Sequence, residues 1–150
     1  MTQVRGVSRR QAGFTLIEIM VVVVILGVLA ALVVPNIMSR PDQAKVTAAK
    51  SAVSQISSAL ELYRLDNGFY PSTEQGLEAL VNEPTGNPEP RNWNPDGYLK
   101  MRDLEDPWGN PYQYEQPGAR NTNGYDIYSL GADGRVGGDG FNADLGNWDQ

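Results

Sequence analysis

Residues 13–34 read GFTLIEIMVVVVILGVLAALVV, and this run decides how the chain folds. From Phe14 to Val34 the only charged side chain is Glu18. At about 1.5 Å of rise per residue, a helix over that run reaches roughly the 30 Å of a bilayer core, so it predicts a membrane-spanning segment rather than a core helix. Arg5, Arg9 and Arg10 precede it without an acid. Setting their +3 aside from the overall −6 leaves −9 for everything after residue 13. The positive-inside rule therefore keeps the N-terminus in the cytoplasm and exports the remainder.

An ordinary cleaved signal peptide is the competing reading, because Leu29-Ala30-Ala31 offers small residues near the end of the run. The run is longer than a usual signal core, however, and it contains a carboxylate. An ionised Glu without a partner in apolar surroundings costs on the order of 2 kcal/mol or more. A cut between Gly13 and Phe14 supplies the partner: the new amine at Phe14 and the Glu18 carboxylate are both charges at the edge of an apolar helix, able to neutralise each other or a neighbour's.

Gly13-Phe14-Thr15-Leu16-Ile17-Glu18, behind a short basic leader and ahead of an apolar helix, resembles the class III signal of type IV pilins and pseudopilins. The resemblance implies that a membrane-embedded prepilin peptidase cuts after Gly13 and that the new N-terminus at Phe14 is methylated. It also implies that Glu18 registers incoming subunits against Phe14 of a neighbour. Three segments are expected: a leader over 1–13, a transmembrane and filament-core helix over 14–35, and a periplasmic head over 36–150 that includes the second half of the long helix.

Outward from the run, Ala49, Ala52, Val53, Ile56, Leu60 and Tyr63 recur at steps of three and four, the stripe of an amphipathic helix, while Lys45, Lys50, Gln55, Glu61 and Arg64 lie off it. The pattern predicts one long helix from about Phe14 to about Asp66, with Gly68 as its left-handed cap. Pro35 and Pro41 each remove an amide donor and predict a kink or melted stretch. The resemblance further suggests that the segment between Gly27 and Pro35 unwinds when the subunit leaves the bilayer; a static kink is the alternative.

In the head, Ser72 and Gln75 have capping-box spacing, which predicts a short helix from Thr73 to about Asn82. A loop rich in Pro, Asn and Gly comes next, with Trp93 as its buried anchor. Strands are expected near Tyr98–Met101, Tyr112–Gln116 and Asp126–Leu130, with Asp106-Pro107-Trp108-Gly109-Asn110-Pro111 as a tight turn. The fold class is α+β, a small antiparallel sheet laid against the long helix. Tyr70-Pro71-Ser72-Thr73-Glu74-Gln75-Gly76-Leu77, the Asp106–Tyr112 turn and Tyr128-Ser129-Leu130-Gly131-Ala132-Asp133-Gly134 together resemble the major pseudopilins of type II secretion.

The tail from Leu130 to Trp148 is dense in glycine and poor in apolar residues, so burial alone does not order it. Asp133, Asp139 and Asp144 are suitable hard oxygen donors for Ca²⁺, although their spacing is not that of an EF-hand and a solvated acidic turn is the alternative. The resemblance implies a structural calcium in this loop, held by the Leu130 carbonyl, the Asp133 carboxylate, a carbonyl near Arg135 and the acids after Gly137-Gly138. The chain departs from the family pattern there: one acid has moved by a position, to Asp139, and another has become Asn142, which leaves Asp144 as a further ligand.

With no cysteine and no histidine, the chain has no thiol nucleophile, no Ser-His triad and none of the usual zinc sites. Its acidity disfavours nucleic acid. A hydrolase using paired carboxylates, for instance Glu74 with Glu78, is a competing reading. The reading that fits best is not an enzyme. It is a structural subunit that polymerises into a periplasmic pseudopilus and drives export of folded proteins across the outer membrane. The partners implied are further copies of itself, the prepilin peptidase, minor pseudopilins and an inner-membrane assembly platform. The location implied is the bacterial inner membrane, single-pass, with the head in the periplasm. A type IV pilus subunit for adhesion, motility or DNA uptake is the alternative.

Overall fold

The structure, a computed structural model, describes residues 13–38 and 40–149, without the side chains of 32–38 and 40. The leader, apart from Gly13, lies outside the described residues. The chain divides into two compact units, one up to residue 39 and one from residue 40.

The first unit contains helix α1, Leu16–Met38. Its backbone stays helical through Gly27 and Pro35, so the expected melted stretch is not present in this state. The second unit opens with α2, Arg40–Asn67. Pro41 lies in its first turn, where the missing amide hydrogen would have had no intrahelical acceptor, and this explains why it does not break α2. Helix is thus found on both sides of residue 39, which is itself outside the described residues. At the far end the Gly68 amide donates to the Arg64 carbonyl at 2.7 Å with φ of 87°, the left-handed cap expected there.

The α2 stripe is the spine of the head. Ala49, Val53, Ile56, Leu60 and Tyr63 are all buried, joined by Leu77, Leu80, Leu104, Tyr112, Tyr114, Tyr125 and Ile127. Burial raises the Tyr63 phenol to about 12, with a smaller contribution from Tyr98. It does the same to Tyr112, also to about 12, with Asp106 adding to the effect.

A three-stranded antiparallel sheet packs on this helix in the order β1 (Gln113–Glu115), β2 (Asp126–Ser129), β3 (Leu145–Gly146). Tyr114 pairs with Ile127 and Ser129 with Leu145. Two of the expected strands are therefore present. The third is not at Tyr98–Met101, because the amides of Tyr98 and Leu99 both donate to the single carbonyl of Leu80, at 2.7 and 3.0 Å, and the chain then enters a 3-10 turn over Met101–Leu104. The third strand comes from the tail instead, where Leu145 is buried.

The expected helix over Thr73–Asn82 is a tight turn followed by a 3-10 segment, Leu77–Leu80. Ser72 and Gln75 do form the reciprocal capping pair, with Gln75 N to Ser72 Oγ at 3.2 Å and Ser72 N to Gln75 Oε1 at 3.1 Å. The α-helix fails to propagate because Gly76 has φ of 61°, outside the right-handed region. Trp93 is half-buried and donates its indole N–H to the Ala79 carbonyl at 2.9 Å, an anchor as expected but only partly enclosed.

Candidate functional site

Two regions carry the chemistry, and the first is the start of α1. Thr15 precedes the helix and Glu18 is its third residue. The Thr15 amide donates to Glu18 Oε2 at 3.3 Å, and the Glu18 amide donates to Thr15 Oγ1 at 3.4 Å. This is a capping box, two otherwise unsatisfied amides each given an acceptor, with a negative charge at the positive end of the helix dipole. The sequence shows the Thr-x-x-Glu spacing, but reading Glu18 only as a charge seeking an amine misses Thr15. A Cβ on Gly13 would meet nothing within 4 Å, and the neighbouring Phe14 is exposed.

Around α1, from Phe14 to Leu29, every large apolar side chain is 48–80% exposed. An apolar surface this continuous needs lipid or protein to cover it. Among the described residues no helix is long and apolar enough to cross a membrane; the apolar run in the sequence continues to Val34, beyond Ala31, the last side chain of α1 that is described.

The second region is the loop of residues 130–144 between β2 and β3. It folds back on itself. The Ala132 amide donates to the Phe141 carbonyl at 2.9 Å and the Asn142 amide to the Asp139 carbonyl at 3.1 Å. A Cβ on Gly131 would lie 2.8 Å from the Asn142 backbone, so only glycine allows that approach. Gly131 and the Asn142–Ala143 backbone are thus brought together. Asp133 is exposed and caps its own turn, accepting from the Arg135 amide at 3.1 Å, and Asp139 is exposed as well.

Asp144 is different. Its Oδ2 accepts from the Gly137 amide at 2.9 Å, while Oδ1 is buried without a hydrogen-bond partner. A buried carboxylate oxygen left unpaired costs at least as much as an unmade hydrogen bond to a charged group. No group of three or more acidic, histidine or cysteine side chains converges among the described residues, so a cation here would draw on backbone carbonyls as well.

Glu74 and Glu78 are exposed on the wall of an open groove of about 490 Å³ whose floor includes Leu77, Met101, Leu104 and Tyr112. Neither is held in a dry, oriented position of the kind that separates a general acid from a base.

A family profile described as type II secretion system (T2SS), protein G, matches residues 36–148, and one described as prokaryotic N-terminal methylation motif matches residues 8–34. The chain is 67% identical over 141 residues to the type II secretion system core protein G of Pseudomonas aeruginosa, spanning 94% of this chain and 97% of that one. Identity to the protein of the same name from Vibrio cholerae is 54% over 140 residues, 93% of each chain. The crystal structure of the major pseudopilin from the type 2 secretion system of enterohaemorrhagic Escherichia coli superimposes with a TM-score of 0.65 at 46% identity, over 79% of this chain and 98% of that one. The capped apolar N-terminal helix, the second helix backed by a three-stranded sheet and these similarities place the chain in the protein G family of type II secretion systems.

Proposed function

We propose that the chain is a structural, non-enzymatic subunit that polymerises into the pseudopilus of a type II secretion system, rather than into a type IV pilus. The observation that carries polymerisation is the α1 surface: a helix apolar on all sides, headed by one charged residue, matches lipid before assembly and the α1 helices of other copies after it. The choice of a pseudopilus over a pilus rests on the similarity to the protein G family. On this reading the precursor is anchored by residues 14–34 in the inner membrane and holds its head in the periplasm. Prepilin peptidase cuts after Gly13 and the Phe14 amine is methylated. Glu18 then exchanges its intrahelical acceptor role for the amine of a neighbouring Phe14. Minor pseudopilins and an inner-membrane assembly platform are the other partners.

The intact mass of the mature protein tests the processing step. Loss of residues 1–13 plus one methyl group is expected. Cleavage near Ala31 would make the run a discarded signal peptide and end the filament reading.

We further propose a structural calcium ion in the 130–144 loop. The buried, unpartnered Asp144 Oδ1 supports it. On this reading the donors are the Leu130 and Arg135 carbonyls with Asp133, Asp139, Asn142 and Asp144, hard oxygens of the kind Ca²⁺ takes at 6 to 8 coordination. When bound, the ion supplies the ordering that the loop's few apolar residues do not. At calcium a hundredfold above Kd the linkage adds about 2.7 kcal/mol of stability. Excess EGTA is therefore expected to lower the melting temperature of the head by several degrees, as followed by near-UV circular dichroism. An unchanged transition would count against the ion.

A further inference from the structure

The tight turn between the 3-10 segment at Met101–Leu104 and β1 has its acid turned inward. Asp106 is 5% exposed. Its Oδ1 accepts from the amides of Trp108 at 3.0 Å and Asn110 at 2.8 Å, and its Oδ2 accepts from the Ser129 hydroxyl at 2.5 Å. The same Ser129 Oγ accepts from the Gly131 amide at 3.1 Å. Asn110, whose own amide is tied to Asp106, donates its Nδ2 to the Gly131 carbonyl at 3.3 Å. Gly134 lies close enough that a Cβ there would come within 3.1 Å of Asn110 Oδ1.

These contacts fall on the peptide units at the entrance of the 130–144 loop. The Gly131 N–H and the Leu130 C=O belong to one planar trans unit, so holding the N–H on Ser129 Oγ points the Leu130 oxygen the opposite way. The next unit is held through the Gly131 carbonyl by Asn110. Gly131 itself has φ of 68°, a turn that lets these two planes be set independently. Both planes are thus oriented by a turn that lies about twenty residues upstream and contributes no proposed ligand.

We infer that Asp106, Ser129 and Asn110 form a clamp that presets the Leu130 carbonyl and the adjoining backbone for the cation, so that the Asp106–Pro111 turn positions the loop without touching the ion. The inference rests on the calcium reading. A hydrogen-bonded shell behind the ligands of a metal site sets their orientation, and losing one member typically lowers affinity about 10- to 100-fold. The clamp also fixes a division of labour. Asp106 arranges its own turn and passes orientation to the loop through Ser129, whereas Asn110 acts on the loop directly.

The test is calcium titration by isothermal calorimetry on the full chain in detergent, comparing the unaltered chain with Ser129→Ala and Asn110→Ala, alongside melting curves in excess EGTA. Each variant is expected to bind Ca²⁺ at least about tenfold more weakly, and its melting temperature in EGTA should fall less than its melting temperature in calcium. Asn110→Ala removes one part-buried hydrogen bond from the clamp and keeps the test valid should the buried Ser129 variant unfold. Unchanged calcium affinity in Asn110→Ala, or equal losses of melting temperature with and without calcium, would reduce the clamp to ordinary structure and overturn the inference. No heat of binding in the unaltered chain would overturn the calcium reading itself, and the clamp with it.

Discussion

Replacing Glu18 by Gln should leave α1 as helical as before and still cut filament yield by an order of magnitude or more. Gln at the third helical position completes a capping box as Glu does, because its side-chain oxygen can accept from the Thr15 amide in the same way. What it lacks is the charge. Truncating one member of a buried charge pair between partners costs about 2–5 kcal/mol, more than tenfold in the affinity of one subunit for the next. Helix content by far-UV circular dichroism and polymer yield by sedimentation, both on the processed protein, give the two readings. If Glu18→Gln assembles normally while Glu18→Ala does not, the cap alone is what the filament needs and the amine pairing is not.

Leu60→Ala should be among the most damaging single changes within the head. Leu60 is fully buried, and removing a core leucine side chain costs about 2–5 kcal/mol through lost transfer energy and the cavity left behind. For a unit of this size that lowers the melting temperature by roughly 10 °C or more. Leu65, on the same helix and 79% exposed, provides the contrast: Leu65→Ala should change stability by no more than about 0.5 kcal/mol. Comparable losses at both positions would mean that α2 does not use the face assigned to it.

That face is legible in the sequence because helical periodicity is a strong signal over a long segment. Val53, Ile56, Leu60 and Tyr63 fall on one stripe by spacing alone, and all of them are buried. The apolar run after Gly13 is legible for a simpler reason, that nothing else explains so many consecutive aliphatic residues around one acid. Short elements are not. The stretch from Ser72 to Asn82 shows a true capping pair and helical spacing of Leu77 and Leu80, but the single glycine at position 76, with φ of 61°, turns the chain out of the α-helical path, and spacing does not report backbone sign. Tyr98–Met101 has strand-forming residues, yet its amides meet a carbonyl of the 3-10 segment rather than a ladder. The shortness of β3 hides it, because so few residues carry no period and Leu145 has nothing to announce it.

The candidate sites divide in the same way. Gly13, Phe14 and Glu18 lie close enough in sequence to form a motif. The loop acids are spread among glycines, where spacing does not tell them apart, whereas the backbone does: Asp133 spends an oxygen on its own turn, while Asp144 keeps one buried and unpaired. The clamp is invisible in the sequence because it joins Asp106 to Ser129 across a separation that no local pattern spans.

The pairing of Ser129 with Leu145 has a consequence for how the loop is closed. The two ends of the 130–144 loop are held together by the pairing of β3 with β2, so the loop closes only when Leu145 docks beside Ser129. A cut within residues 130–144 leaves α2, β1 and β2 in the chain but separates the two loop ends that β3 joins.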